Sequence, residues 1–268
     1  MLKEFERGSS DVDWCEANYD IVPAIAEFWN TISNFLFIVL PPVLMYLFRP
    51  YARQVNASIN LIWWMLAVVG ISSAYFHATL SLVGQLLDEI AILWVIIAAW
   101  GVWAPRRFFP RFCNESRKSF MLLMLGAGAI TTILAFLHPS MNHFLLMPLA
   151  IPSLMCMFSE LKRCNDWRVI RLGIAAFVWF SLALTCWLND RLFCHIWESV
   201  SFPYLHSGWH IFIAIASFEL CVVMAYFEAV TMAPERAPTL KFWPYDRCDL
   251  GVPYVSFKCS AAKPIKEC

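Results

Sequence analysis

The sequence predicts an all-α bundle of seven transmembrane helices, and three observations carry that reading. Of its 268 residues, 60% are hydrophobic and 15% charged, with a mean hydropathy of +0.60. A soluble domain is about 45–50% apolar and about 25% charged. The apolar residues gather into seven runs, most of them near the roughly 20 residues that cross about 30 Å of hydrocarbon. Lys and Arg concentrate in alternate connections, as sided insertion of an odd number of spans requires.

The first span is expected at Phe28–Phe48, kinked by Pro41-Pro42. The second runs Leu61–Leu80, the third Leu86–Trp103 and the fourth Phe120–Leu137. The fifth, Phe144–Phe158, is short and interrupted by Pro148 and Pro152. The sixth is Leu172–Leu188 and the seventh His206–Val230. No repeat or linker divides them, so residues 28–230 read as one helical domain, with a head, 1–27, and a tail, 231–268. The first 20 residues are polar and acidic, so no cleavable signal peptide is expected and the first apolar run should do its own targeting. Twenty basic residues balance twenty acidic ones, which argues against a nucleic-acid partner. The apolar, aromatic-rich composition excludes a disordered chain. No obligate protein partner is evident.

Basic residues set the orientation. The first connection carries Arg49 and Arg53, the third Arg106, Arg107, Arg111, Arg117 and Lys118, and the fifth Lys162, Arg163, Arg168 and Arg171. The tail carries Arg236, Lys241, Arg247, Lys258, Lys263 and Lys266. The second and fourth connections have none, the sixth only Arg191, and the head is mainly acidic despite Lys3 and Arg7. The head is therefore expected to be lumenal and the tail cytosolic. Two glycosylation sequons, Asn56-Ala57-Ser58 and Asn114-Glu115-Ser116, then fall in cytosolic connections and should stay unmodified.

The same topology sorts the ten cysteines, which are too few and scattered for a small disulfide scaffold. Cys113, Cys164, Cys248, Cys259 and Cys268 fall on the cytosolic side, and Cys156, Cys186 and Cys221 within helices. Cys15 and Cys194 alone lie in lumenal segments, so a Cys15–Cys194 bridge is expected in an oxidising compartment; the alternative is two free thiols.

Ionisable groups at membrane depth are costly and invite a functional reading. His138, His143 and His195 lie in lumenal connections, where an ordinary solvated role suffices. His77 ends the second span, while His206 and His210 open the seventh at i,i+4 spacing on one helix face. The topology brings all three to the lumenal ends. Three histidines with one open position suit catalytic zinc. Asp88 and Ser73 lie at the same depth. Asp88 would bind the water or orient a histidine, or serve as a helix N-terminal acid. Ser73, four residues before His77, would donate to an oxyanion or act as a small packing residue. Glu89 points about 100° away from Asp88 and reads as an interface residue. Glu219 lies deep in the seventh span with no partner the sequence supplies.

The head is a second constellation: Asp13, Glu16, Asn18 and Asp20, with Glu27 before the first span. Closely spaced oxygen ligands closed by a later Glu suit calcium, although the EF-hand Gly and spacing are missing. A solvated acidic head that helps insertion explains the same residues.

The segments Asp13-Trp14-Cys15-Glu16, Glu27-Phe28-Trp29-Asn30-Thr31-Ile32-Ser33-Asn34, Tyr75-Phe76-His77-Ala78-Thr79-Leu80, Gly84-Gln85-Leu86-Leu87-Asp88-Glu89, Phe202-Pro203-Tyr204-Leu205-His206 and Trp209-His210 resemble the alkaline ceramidases, in order and over nearly the whole chain. The likeness is to the Golgi type and also to the skin type. That family falls in a wider heptahelical hydrolase group that includes the adiponectin receptors. The resemblance implies a ceramidase that cleaves the ceramide amide to sphingosine and a fatty acid, in a Golgi or endoplasmic reticulum membrane. It implies zinc on His77, His206 and His210, with Ser73 and Asp88 completing the catalytic site. It also implies calcium on the side chains of Asp13, Glu16, Asn18 and Glu27 and the backbone carbonyl of Trp14. The alternative within the wider group is a lipid receptor of the adiponectin-receptor type. A generic seven-helix receptor is less well matched, because Asp190-Arg191 follows the sixth span on the lumenal side and no Asn-Pro-x-x-Tyr occurs in the seventh. A transporter with a structural metal is the remaining alternative.

Overall fold

A computed structural model describes residues 3–139, 142–247, 249 and 251–258. The expectations for Cys248, Cys259, Cys268, Lys263 and Lys266 lie outside the described residues. The helices are α1 (Phe28–Ile32), α2 (Phe35–Leu47), α3 (Arg49–Gln54), α4 (Ile59–Thr79), α5 (Leu82–Trp103), α6 (Arg117–Leu137), α7 (Asn142–Leu161), α8 (Trp167–Ser199) and α9 (Leu205–Met232). A hairpin of β1 (Thr239–Trp243) and β2 (Val252–Ser256) follows. Among the described residues, α1–α2 together, α4, α5, α6, α8 and α9 are long and apolar enough to cross a membrane, and Pro148–Leu161 is a shorter apolar helix. The all-α multi-pass bundle expected from the sequence is thus the architecture observed.

The bundle has two polar ends. The head, the end of α4, the start of α5, the end of α8 and the start of α9 share one, called here the head face. The opposite, tail face holds α3, the ends of α5 and α9, and the hairpin. The core is aromatic where α2, α4 and α9 meet: Phe48 packs on Trp63, and Phe218 contacts both Trp63 and Phe37. Gly70 allows that approach, because a Cβ there would lie 2.4 Å from the Phe37 Cβ. Exposed apolar side chains such as Trp64, Ile71, Leu122 and Ile130 cover the outside of the helices, as a hydrocarbon solvent demands.

Three local features depart from a reading based on hydropathy alone. The first span breaks at Ser33-Asn34, whereas α2 continues through Pro41 and Pro42. Ser33 and Asn34 turn their side chains onto the Asn30 carbonyl and toward α9. The sixth helix extends well beyond Leu188 to Ser199, with non-helical dihedrals at Phe193. Its polar continuation is held by partners that a hydropathy count does not see, and it places Cys194 and His195 on helix rather than in a connection. His143 likewise falls in the first turn of α7. In the tail, Leu240, Phe242 and Val255 of the hairpin are buried in the main core against the tail-face ends of the bundle.

The head is tied to the last turn of α4. The final carbonyls of a helix have no partner within it. Here they accept from the head: Glu27 N–H to His77 O at 3.0 Å, Ala26 N–H to Ala78 O at 3.1 Å, Gly8 N–H to Thr79 O at 3.0 Å and Ser10 N–H to Leu80 O at 3.0 Å. Leu80 takes a left-handed conformation and ends α4. Ser81 then caps α5 by accepting from Gly84 N–H. A Cβ on Gly84 would lie 2.9 Å from the Phe76 Cα, so glycine keeps this turn closed and the two helices close together.

Candidate metal centre and active site

His77 on α4 and His206 and His210 on α9 are all buried, and each offers one ligand atom within 4.8 Å of the others. Short connections at the head face bring this about: α4 ends just past His77, and α9 begins at Leu205. The surrounding groups fix the rings. The Glu27 Oε2 lies 2.5 Å from His77 Nδ1. The Ser33 hydroxyl lies 2.7 Å from His210 Nδ1, with Asn34 Nδ2 at 3.4 Å. These contacts occupy Nδ1 of both rings and leave each Nε2 for a ligand, the arrangement found when a carboxylate or hydroxyl orients a metal-binding imidazole. The Trp14 ring stacks on His206 with centroids 3.6 Å apart. His206 Nδ1 is buried without a hydrogen-bond partner, as is suited to a neutral ring that binds through nitrogen. The donor set fits zinc.

Ser73, one turn before His77 on α4, and Asp88 near the start of α5 are the other two residues singled out from the sequence, and Ser73 is buried. The Ser73 side chain of α4 faces the Asp88 carboxyl of α5. Asp88 Oδ1 is buried and has no hydrogen-bond partner, so a proton-accepting oxygen is left open. Gln85, one turn before Asp88, accepts from the Ser10 hydroxyl at 2.9 Å and ties α5 to the head.

The acidic head gathers less tightly. The Glu16 oxygens accept from Trp29 N–H at 2.6 Å and Asn30 N–H at 2.8 Å, at the start of α1. Asn18 Nδ2 donates to the Asp13 carboxylate at 3.1 Å. Trp14 N–H donates to Glu27 Oε1 at 3.2 Å. Asp13 and Glu27 lie side by side. Burial pushes the Glu27 carboxyl up to about 8, and the Asp13 charge adds to the rise. Burial raises Glu16 as well. Crowded, desolvated carboxylates are the electrostatic condition that a divalent cation relieves. The oxygen donor set of Asp13, Glu16, Asn18 and Glu27 therefore fits calcium in chemistry, although Glu16 already serves α1 and Glu27 already serves His77.

Cys15 and Cys194 are joined as a disulfide. Beside them lies Asp190, a residue that hydropathy and motif reading passed over. Its carboxylate accepts from Cys15 N–H and His206 N–H, both at 3.1 Å, and it is buried. Asn30 is a second such residue: its Oδ1 accepts from Ser207 and its Nδ2 donates to Glu27. Asn30, Ser33 and Asn34 form an i,i+3,i+4 polar stripe inside an apolar run, and that stripe is the sequence signal for their role. No such signal marks Asp190. Glu219 Oε2 is buried without a hydrogen-bond partner, and nothing in the structure explains it.

Comparison with known proteins places the chain in a family. A family model described as Ceramidase matches residues 6–256. The alkaline ceramidase of Drosophila melanogaster is 51% identical, over 94% of this chain and 89% of that protein. Alkaline ceramidase 1 of Homo sapiens is 37% identical, over 96% of this chain and 98% of that protein. The alkaline ceramidase of Caenorhabditis elegans is 30% identical, over 95% of each. With a buried three-histidine site, a bundle of apolar helices and a match over nearly all its length, the chain belongs to the ceramidase family.

Proposed function

We propose that this protein hydrolyses the amide bond of ceramide, releasing sphingosine and a fatty acid. One observation carries the reading: three buried histidines converge in a chain related to alkaline ceramidases over nearly its full length. His77, His206 and His210 would hold zinc. Bound there, zinc would supply Lewis acidity and a nucleophile available near neutral pH.

The chain's own groups do the rest. Asp88, through its unpartnered Oδ1, takes the proton of the attacking water and returns it to the sphingoid nitrogen as the C–N bond breaks. Ser73 holds Asp88 in the resting site. Once Asp88 is protonated, the Ser73 hydroxyl is free to turn and donate to the oxyanion. Glu27, Ser33 and Asn34 keep the imidazoles in one orientation. A site within the bundle receives the two-chain lipid directly from the bilayer.

Calcium on Asp13, Glu16, Asn18, Glu27 and the Trp14 carbonyl would clamp the head, with the Cys15–Cys194 bridge reinforcing it. The basic residues crowd the tail face, which supports a lumenal head and cytosolic tail in a Golgi or endoplasmic reticulum membrane. The test is hydrolysis of a ceramide series by purified protein, wild type against His210→Ala, with zinc quantified. Turnover with one zinc per chain, both lost in the variant, is expected. Zinc without turnover on any ceramide would favour a lipid receptor instead.

A further inference from the structure

A cavity of about 150 Å³ lies between α4, α5, α7 and α9, on the tail side of the histidines. Its lining is almost entirely apolar and includes Leu66, Val95, Ala99, Trp103, Ser217 and Met224. The helices that carry the three histidines, Ser73 and Asp88 also line this cavity further along the same face. Ser73 and Leu66 are seven residues apart on α4, Asp88 and Val95 on α5, and His210 and Ser217 on α9. Seven residues are about two helical turns, or about 10 Å. The cavity therefore lies about two turns from the candidate reaction centre, toward the tail face, on helix faces the two share.

Of the lining residues, Trp103, the last residue of α5, and Met224 lie furthest along their helices from the histidine end of the bundle. The indole is fixed. Trp103 Nε1–H donates to Glu228 Oε2 at 2.9 Å. The same carboxylate accepts from the Tyr51 hydroxyl at 2.5 Å and from Asn56 Nδ2 at 2.8 Å. Burial and the Glu228 carboxylate raise the Tyr51 pKa, so the phenol keeps the proton it donates. One carboxylate thus fastens Trp103 to α3, α9 and the segment before α4. A wall held by three charge-assisted donors is rigid.

We propose that Trp103, fixed by Glu228, is the end-stop of a hydrocarbon-chain channel and sets how long a chain the site accepts. This rests on the proposed lipid-amide hydrolysis and adds its length selectivity. Trp103 acts on specificity, and Glu228 is a positioning residue that acts through Trp103. The occupant is an unbranched alkyl chain, either the acyl chain or the sphingoid chain.

The experiment compares kcat/KM across two ceramide series, one varied in acyl length and one in sphingoid length. Trp103→Ala should raise the ratio of longest to shortest substrate by at least about tenfold in one series. Glu228→Ala should move the ratio the same way, with the short-chain kcat little changed, an outcome that general loosening of the fold would not give. Ala99→Leu, which fills the channel, should shift the ratio the other way. This variant keeps the idea falsifiable if Trp103→Ala does not fold. Ceramide analogues with a diazirine at the end of either chain give a readout without turnover. One of them should cross-link near Trp103 or Met224 in wild type. Cross-linking there without hydrolysis would sink the enzyme reading and leave the channel standing. Unchanged length ratios in Ala99→Leu and Glu228→Ala, or no cross-link near Trp103, would overturn the end-stop.

Discussion

Glu27 holds His77 by two different groups: its carboxylate lies 2.5 Å from the ring Nδ1, and its backbone N–H donates to the His77 carbonyl at 3.0 Å. A residue of the head therefore fixes both the imidazole and the backbone beneath it. Glu27→Gln keeps the size but loses the charge that orients a ligand imidazole. Zinc affinity should fall by about 10–100-fold, read by competition with a chelator of known affinity. Glu27→Gly should also lower turnover and the response to calcium. Unchanged zinc affinity in Glu27→Gln would remove the orienting role.

Asp190→Ala leaves two buried N–H groups, those of Cys15 and His206, without their acceptor. Each orphaned donor costs about 1–3 kcal/mol. The variant should melt several degrees lower in detergent and bind zinc more weakly, since His206 sits on one of the freed amides. A melting temperature equal to wild type would show that this acceptor is dispensable.

Cys15→Ser or Cys194→Ser should abolish the mobility difference between reducing and non-reducing gels. Losing a disulfide from a small secreted domain costs about 2–5 kcal/mol. The lower end is expected here, because four backbone hydrogen bonds still hold the head to α4. Faster hydrogen exchange confined to residues 9–27 is the accompanying signature. A gel shift that persists in both single variants would exclude this pairing.

The tail hairpin gives a pH prediction of definite sign. Hydrogen bonding to Arg168 holds the Asp246 carboxyl below the usual carboxylate range. Its contribution is then complete above the ordinary carboxylate pKa and is lost as pH falls through the depressed folded value. Exchange protection across Thr239–Trp243 should be constant from neutral pH to about 5 and fall in stronger acid, where carboxylates protonate. Asp246→Asn should show the weaker protection already at neutral pH.

The spans and the three histidines were legible because each rests on one strong local signal: apolar run length, and imidazoles at membrane depth with i,i+4 spacing. The break at Ser33-Asn34 was not, because proline is the louder helix breaker in sequence, whereas here side chains drawn to His210 and the Asn30 carbonyl decide. The length of α8 was hidden for a similar reason. Asn189-Asp190-Arg191 reads as the end of a membrane helix, but Asp190 is bonded to groups 175 residues before it and 16 after it. Such long-range satisfaction of a polar group leaves no periodic trace. Glu27 read as a calcium ligand from its neighbours in sequence; its contact with His77, 50 residues away, needed the fold.

The docking of the head onto α4 and α9 also constrains the order of events during synthesis. The head leaves the ribosome before the groups that receive it: the last turn of α4, then Asp190 and Cys194, and finally His206. A nascent chain that stops before α9 has the α4 and α8 partners of its head but only one of its three histidines. Metal binding at these histidines would thus report that translation has passed α9, since a chain terminated earlier lacks two of them.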